Sequence, residues 1–342
     1  MSSHPPVLDR RRTRTALACT VVVALGAVGL PFAAGGSPDE GDVMVREARH
    51  AARGHDFSGT MSLQWYDGTD YHSGTMPVRS VDGVIEIEGE RTVVSDDDGG
   101  YVHDDSGWRT LWREGEAVDA PDPSAKYDLN VSTAVVGGRT TNLVEIHDGD
   151  GGALRERRFL DDDTGIVLRR EQFDDDGRAV RVLTLNRIEE IADGPSAGPA
   201  AVPPDGVESV TAATTLGGAD IDAPESVGDG WRLQAAEVVS SDTTQFHYSD
   251  GVFGLSVSET DGELDWDALP PAGDDADIAG HPVRLWHAPG GSVAVWEMDD
   301  TTFAVVTDGP VSDLPAVIDD FEGSDSFLGR LVRFAISPFS LF

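Results

Sequence analysis

Two runs of three aspartates are the residues whose type and spacing come closest to a binding site in this sequence. They occupy positions 161–163 and 174–176, and a glycine follows each run. A calcium loop places carboxylate ligands at alternate positions over twelve residues and ends in a glutamate. The twelfth residue would be Gln172 for the first run and Leu185 for the second, so neither run fits such a loop. Because both runs lie between segments of alternating polarity, they are interpreted as tight turns between strands.

The sequence contains no motif for catalysis or for a cofactor. Its nine histidines include no His-Glu-x-x-His or His-x-His pair, and the hydrolase motif Gly-x-Ser-x-Gly is absent. Pairs of glycines lack the neighbours that nucleotide-binding loops require. The one cysteine, Cys19, lies in the N-terminal segment, so the rest of the chain has no disulfide or catalytic thiol. We therefore expect a protein without enzymatic activity, bound metal or cofactor. An envelope hydrolase is kept as a third alternative to the two functions given at the end of this subsection.

The chain is strongly acidic. It has 62 Asp and Glu against 25 Lys and Arg, for a formal net charge of -37 over 342 residues. Such a charge repels nucleic acid and anionic membranes. It favours either a basic partner or simply solubility, since the acids are spread along the chain.

Residues 1–36 are typical of an export segment. Basic residues 10–14 precede an apolar stretch from Ala16 to Ala34, and small residues follow that stretch. Its length fits either a cleaved signal peptide or a retained N-terminal membrane anchor. In both cases the basic flank stays in the cytoplasm and the remainder is extracytoplasmic, either secreted or held in the cell envelope.

The elements that position these turns divide the chain into two domains. A helix is predicted over residues 39–54, and a meander of short strands joined by Asp-Gly and Gly-Gly turns completes a first domain at 39–192. A Pro/Gly/Ala linker covers 193–227. A smaller α+β domain of five strand segments and one helix follows at 228–325. The tail, 326–342, is amphipathic and either packs on the domain or attaches to a membrane.

A curved single-layer sheet has a concave face that one helix cannot fully cover. The apolar side chains on that face form either an ordinary core or a groove for acyl chains. The candidate ligand-binding residues are Phe57, Met61, Leu63, Trp65, Trp108 and Trp112.

Three segments, taken in their order along the chain, carry a resemblance to a known family. They are "ARGHDFSGTMSLQWYDG" at 52–68, "LDDDTGIVLRREQFDDDGRAVRVLTLNRIEEI" at 160–191 and "FHYSDGVFGLSVSE" at 246–259. Together they resemble the MucB/RseB family of periplasmic regulators of the sigma-E envelope stress response. The resemblance extends from about residue 43 to 322, and the family has no catalytic motif to transfer.

The resemblance implies an α+β fold. Its first domain is a curved antiparallel half-barrel sheet with covering helices, similar to lipoprotein carriers, and a smaller antiparallel α+β domain follows. It also implies that the second domain binds a membrane-spanning anti-sigma factor and modulates its proteolysis, and that the protein senses lipid. The candidate partner-binding residues are Tyr248, Asp250, Phe253, Trp286 and Trp296. The alternative function is a lipid or lipoprotein carrier, and the oligomeric state is left open.

Overall fold

The computed structural model describes residues 40–89, 92–96, 99–104, 107–113, 121–149, 151–190, 224–238 and 242–322. These residues form two antiparallel sheets, of eleven and eight strands, with one α-helix attached to each. The predicted fold class, a half-barrel sheet with covering helices followed by a smaller antiparallel α+β domain, is confirmed. The predicted export segment, most of the linker and the amphipathic tail lie outside the described residues.

The first sheet is made of two meanders joined at its centre. Its helix, α1, spans Glu40–Ala51, and its strands are β1 Phe57–Tyr66, β2 Tyr71–Val81, β3 Val84–Ile87, β4 Thr92–Asp96, β5 Gly99–Asp104, β6 Gly107–Arg113, β7 Tyr127–Val136, β8 Arg139–Asp148, β9 Leu154–Asp161, β10 Val167–Phe173 and β11 Ala179–Glu190. The order across the sheet is β6-β5-β4-β3-β2-β1-β11-β10-β9-β8-β7. The first and last strands in sequence therefore pair with each other in the middle of the sheet.

The second sheet begins inside the predicted linker. Its strands are β12 Ser226–Val227, β13 Trp231–Val238, β14 Thr243–Ser249, β15 Gly254–Asp261, β16 Asp274–Ile278, β17 His281–Ala288, β18 Gly291–Met298 and β19 Thr301–Thr307, and its helix is α2, Leu314–Glu322. The order is β12-β13-β14-β15-β19-β18-β17-β16. One of the five predicted strand segments, at 243–260, is a hairpin of β14 and β15, and β12 and β16 are additional edge strands.

One apolar core runs through both domains. Side chains at alternate positions of the strands turn to one face, as the two-residue period requires. Val45 and Ala48 of α1 join Val144 and Ile146 of β8 in a buried cluster that continues to Trp231 and the rest of the second domain. A second cluster, around Met61, Ile85 and Leu168, lies beneath Ala51 and Ala52 at the end of α1. Small side chains, Ala51 at the end of α1 and the adjacent Ala52, therefore cover the second cluster, whereas Val45 and Met44 of α1 pack in the first.

The membrane anchor predicted at 1–36 lies outside the described residues. Within the described ranges, neither α-helix is long and apolar enough to cross a bilayer.

Candidate functional site

The two aspartate runs lie in hairpin turns. Asp161 accepts hydrogen bonds from the backbone N–H and the hydroxyl of Thr164, at 3.1 and 2.9 Å, and it also pairs with Arg139. Asp174 accepts from the backbone N–H of Asp176 and of Arg178, at 3.1 and 2.8 Å. These side chains stabilise the turns because they replace backbone acceptors. Across the described ranges, no three His, Cys, Asp or Glu side chains come close enough to hold a metal ion.

Calcium is therefore expected to leave the stability of the protein unchanged. The carboxylates of Asp161, Asp174 and Asp175 are already used by their own turns or by arginines, so binding a cation through them would break these bonds. The melting temperature should be the same with calcium as with a chelator, at constant ionic strength. A rise that saturates with calcium, and that is absent in Asp161→Asn, would show that the first run binds the ion.

The candidate ligand-binding residues on β1 are buried or half-buried. Phe57, Met61 and Leu63 are buried, and the first two pack in the cluster beneath α1. Trp65 is half-buried and stacks on His72 of β2, with ring centroids 5.3 Å apart. Trp108 and Trp112 lie on the edge strand β6, and the structure does not describe their side chains. Their role in lipid binding stays a prediction.

The candidate partner-binding residues lie mostly inside the protein. Tyr248 and Trp296 belong to the core, and Trp296 stacks on Phe303 at 5.2 Å. Trp286 is half-buried on β17. Asp250 and Phe253 contact the first domain. Their role in partner binding also stays a prediction.

The Tyr-Ser-Asp-Gly segment forms a joint between the two domains. It is the turn between β14 and β15, and Asp250 holds it by accepting the backbone N–H groups of Val252 and Phe253, at 3.0 and 2.8 Å. The phenol of Tyr127 in the first domain donates a hydrogen bond to the same carboxylate. The ring of Tyr127 also meets Phe253 edge-on, with centroids 5.9 Å apart.

Lys126 of the first domain adds two ion pairs to this joint. Its Nζ lies 3.1 Å from Asp250 Oδ2 and 2.9 Å from Asp313 Oδ2, and it sits over the ring of Trp231 at 5.2 Å. Burial by itself would lower the pKa of Lys126, but the two carboxylates outweigh burial and raise it. Lys126 therefore stays charged, and its two partners both belong to the second domain.

A second set of contacts is a buried charge cluster, formed by Glu156, Arg158, Arg170, Gln172 and Asp308. Cross-strand pairing places the four residues from β9 and β10 on one face of the first sheet. The Glu156 carboxylate is fully buried and accepts from Arg158, from Arg170 at 2.8 Å and from Gln172 at 3.0 Å. Each donor of this set is therefore oriented by the same central carboxylate.

The charge cluster also ties the two domains together. Arg158 donates to the carbonyl of Val252 at 3.0 Å, and Arg170 pairs with Asp308 at 2.9 Å. Gln172 donates to the backbone carbonyl of Asp308 at 2.9 Å. Burial alone would raise the pKa of Glu156, but the two arginines outweigh burial and lower it to about 2.

A pocket of about 270 Å³ opens beside the charge cluster, between the domains. The first domain contributes the ends of β1 and β10 and the start of β11, and the second contributes β17, β18 and the segment after β19. Apolar side chains make up much of the wall, among them Phe173, Val180, Phe253 and Val311. Arg181 of β11 also lines the pocket, directly across from Gln172 in the strand register.

Sequence reasoning missed the charge cluster, although a signal for it was present. Residues 155–158 read Arg-Glu-Arg-Arg inside a strand, and alternate residues of a strand face opposite sides. Both faces of this strand therefore carry charged side chains, and the buried face must be one of them. The partners in the second domain, Val252 and Asp308, could not be found from the local pattern.

No protein-family model and no curated protein matches the chain. Solved structures that match the chain include the Pseudomonas aeruginosa MucA/MucB complex, at 17% identity and a TM-score of 0.48, over 82% of this chain and 97% of that one. MucB alone matches at 16% identity and 0.48, over 82% and 98%. A LolA superfamily protein from Nitrosomonas europaea matches at 7% and 0.19, over 78% and 90%. MucB is of the family that the sequence motifs resemble.

Proposed function

We propose that this protein is an extracytoplasmic, non-enzymatic regulator. It binds the extracytoplasmic segment of a membrane-spanning partner of the anti-sigma type and slows the proteolysis of that segment. The observation that carries the proposal is the order of the three family-like segments, which run through both domains of the chain. The third of them contains the turn that joins the second domain to the first.

The joint supports a binding role for the pair of domains as a unit. Lys126 and the charge cluster connect side chains of the first sheet to Asp250, Asp308 and Asp313 of the second domain. A partner that touches both domains would therefore meet surfaces with a defined relative position, which lowers the ordering cost of binding. The net charge of -37 favours a basic segment as the partner and raises its rate of encounter.

Lipid sensing is the finer part of the proposal. Met61 and its buried neighbours fill the apolar face beneath α1, so an acyl chain would have to displace the helix to enter. The contact surface of α1 there consists of Ala51 and Ala52, whose small side chains bury little area. A lipid that binds only with α1 displaced would shift the protein toward that state. The partner would then be released if its affinity for that state is lower.

Capture from membranes tests the proposed function. The immobilised full chain is incubated with detergent-solubilised membranes of the native host, and the bound proteins are identified by mass spectrometry. We expect a single-span membrane protein with an extracytoplasmic segment. The purified segment should then be cleaved more slowly by an envelope protease when this protein is present.

The carrier alternative predicts a different outcome of the same capture. Lipids or acylated peptides would co-purify without a membrane-spanning partner. A chain shortened to the first domain would retain them, provided that it folds. That result would replace the regulator by a carrier. If a partner is captured but is cleaved at the same rate with and without this protein, the binding role stands and the protective role is rejected.

A further inference from the structure

Arg181 has no carboxylate partner among the described residues. Its Nη1 donates to the side-chain oxygen of Gln172, whereas its Nε is buried and makes no hydrogen bond. Arg158 and Arg170, by contrast, each form an ion pair with Glu156. A buried donor without an acceptor costs roughly 1–3 kcal/mol, and more when the group is charged.

The charge cluster together with Arg181 is positively charged. Among the residues that the structure describes, two carboxylates, Glu156 and Asp308, oppose the three cations of Arg158, Arg170 and Arg181, which leaves one positive charge in excess. Burial, with the cation of Arg170 next to it, lowers the pKa of Arg181 to about 10, so the guanidinium stays protonated at neutral pH. In a chain with a net charge of -37, this interior site has the opposite sign.

The other charged groups of the pocket wall already have partners. Arg155 pairs with Asp148 at 2.6 Å and also with Asp175. Asp174 accepts two backbone N–H groups of its own turn, and Asp308 holds Arg170 and the backbone N–H of Gly254. Burial lowers the pKa of His287, whose Nδ1 lies 3.1 Å from the hydroxyl of Ser292. Arg181 is the group of the described pocket wall that is left for a ligand.

We propose that the pocket between the domains binds a small organic monocarboxylate through Arg181. Arg181 lines the pocket, and a guanidinium group is the side chain best suited to pair with a carboxylate. The body of the ligand would contact Phe173, Val180 and Phe253, so it is apolar or aromatic. A volume of about 270 Å³ limits it to a compact molecule.

The acidic side of the pocket selects against a second negative charge. Asp174 and Asp175 line the entrance from the β10–β11 turn, and Asp175 is 60% exposed. Phosphate and dicarboxylates carry more charge than Arg181 can neutralise and would be repelled by these aspartates. The structure therefore favours one carboxylate over a phosphate.

Thermal unfolding of the full chain with simple probes tests this proposal. Phenylacetate is expected to raise the melting temperature of the wild type in a saturable way. Phenylacetamide, which has the same shape without the charge, should not raise the melting temperature. Succinate and phosphate should raise it less than phenylacetate does. Calorimetric titration supplies the affinity.

Arg181→Gln is the decisive variant. It is expected to weaken phenylacetate binding tenfold or more, because a charge-assisted pair is lost. Without ligand the variant should be at least as stable as the wild type, since an unpaired buried cation has been removed. Arg169→Gln is the matched control, because Arg169 lies on the opposite face of β10 from Arg170 and Gln172 and pairs with Glu171 at 2.6 Å. It should bind phenylacetate normally.

A second variant covers the case in which Arg181→Gln does not fold. Ala288→Leu fills part of the pocket from β17 and keeps Arg181, and it should also weaken binding. The proposal is overturned if phenylacetate does not bind the wild type, if phenylacetamide binds equally well, or if both pocket variants bind phenylacetate as the wild type does. Tighter binding of phosphate than of phenylacetate would reject the monocarboxylate specificity.

Discussion

Replacing Glu156 by glutamine is expected to lower the free energy of unfolding by about 3–5 kcal/mol. Glutamine keeps the size of the side chain but removes the one carboxylate that pairs with Arg158 among the described residues. Arg158 would remain buried without an ion-pair partner among the described residues, and Arg170 would keep the ion pair with Asp308. Removing one partner from a buried ion network lowers the free energy of unfolding by more than the intact network contributes to it, because a buried charge is left without a counter-charge.

Glu145→Gln is the matched control for this variant. Glu145 lies on the neighbouring strand β8 and pairs with Arg157 at 2.8 Å, but both side chains are partly exposed to solvent. Such a pair contributes about 1 kcal/mol or less, so chemical denaturation should show little change. Equal losses in the two variants would contradict the central role of Glu156.

Glu156→Gln should also change how the free energy of unfolding depends on pH. The pKa of Glu156 is lowered to about 2 in the folded protein, against about 4.3 for an unperturbed glutamate. Its contribution is therefore complete above the unfolded value and is lost as the pH falls toward 2. The difference in stability between wild type and Glu156→Gln should narrow over this interval. A difference that stays constant down to pH 2 would exclude an ionised Glu156.

Gly251→Ala is the second substitution with a large expected effect, and it acts on the joint. Gly251 has φ of +93°, and a Cβ there would lie 2.6 Å from the carbonyl oxygen of Pro121 and 2.9 Å from the nitrogen of Pro123. Both contacts are to backbone of the first domain, which cannot rotate away. Strain at positive φ and overpacking together should cost about 2–5 kcal/mol. Chemical denaturation measures this loss, and capture of the membrane partner should weaken with it.

Gly177→Ala separates the strain from the clash. Gly177 also has positive φ, at +74°, but nothing lies within 4 Å of the position that a Cβ would take. The alanine variant should therefore lose only the conformational part, about 1–2 kcal/mol. If Gly251→Ala loses no more than Gly177→Ala, the close contact between the domains at the joint is not present.

Most of the strands could be predicted from their two-residue period, and the two hairpins around the aspartate runs are confirmed. Strand β7 was missed although Tyr127, Leu129 and Val131 alternate with polar residues, so its signal was available. Strand β16 is different, because its sequence, Asp-Asp-Ala-Asp-Ile, is short and rich in aspartate, a residue that is depleted in strands. Only pairing with β17 makes it a strand, and that pairing depends on tertiary structure.

The candidate site was harder to predict than the fold. The sequence singled out Asp250 and Phe253 through the family resemblance, and the structure places both at the joint. The partners of Asp250 in the first domain, Lys126 and Tyr127, lie more than a hundred residues earlier in the chain. Arg181 carries no local signal either, since its lack of a carboxylate partner is a property of the packed domains.

The central pairing of β1 with β11 determines where the first domain can change in length. These strands close a loop of about 110 residues, and doubling such a loop adds only about 0.6 kcal/mol of closure entropy. Insertions in the turns between β2 and β10 therefore cost little. A slip of one residue between β1 and β11 would instead turn the side chains of half the sheet to the opposite face. The turns can thus vary while the register at the centre cannot.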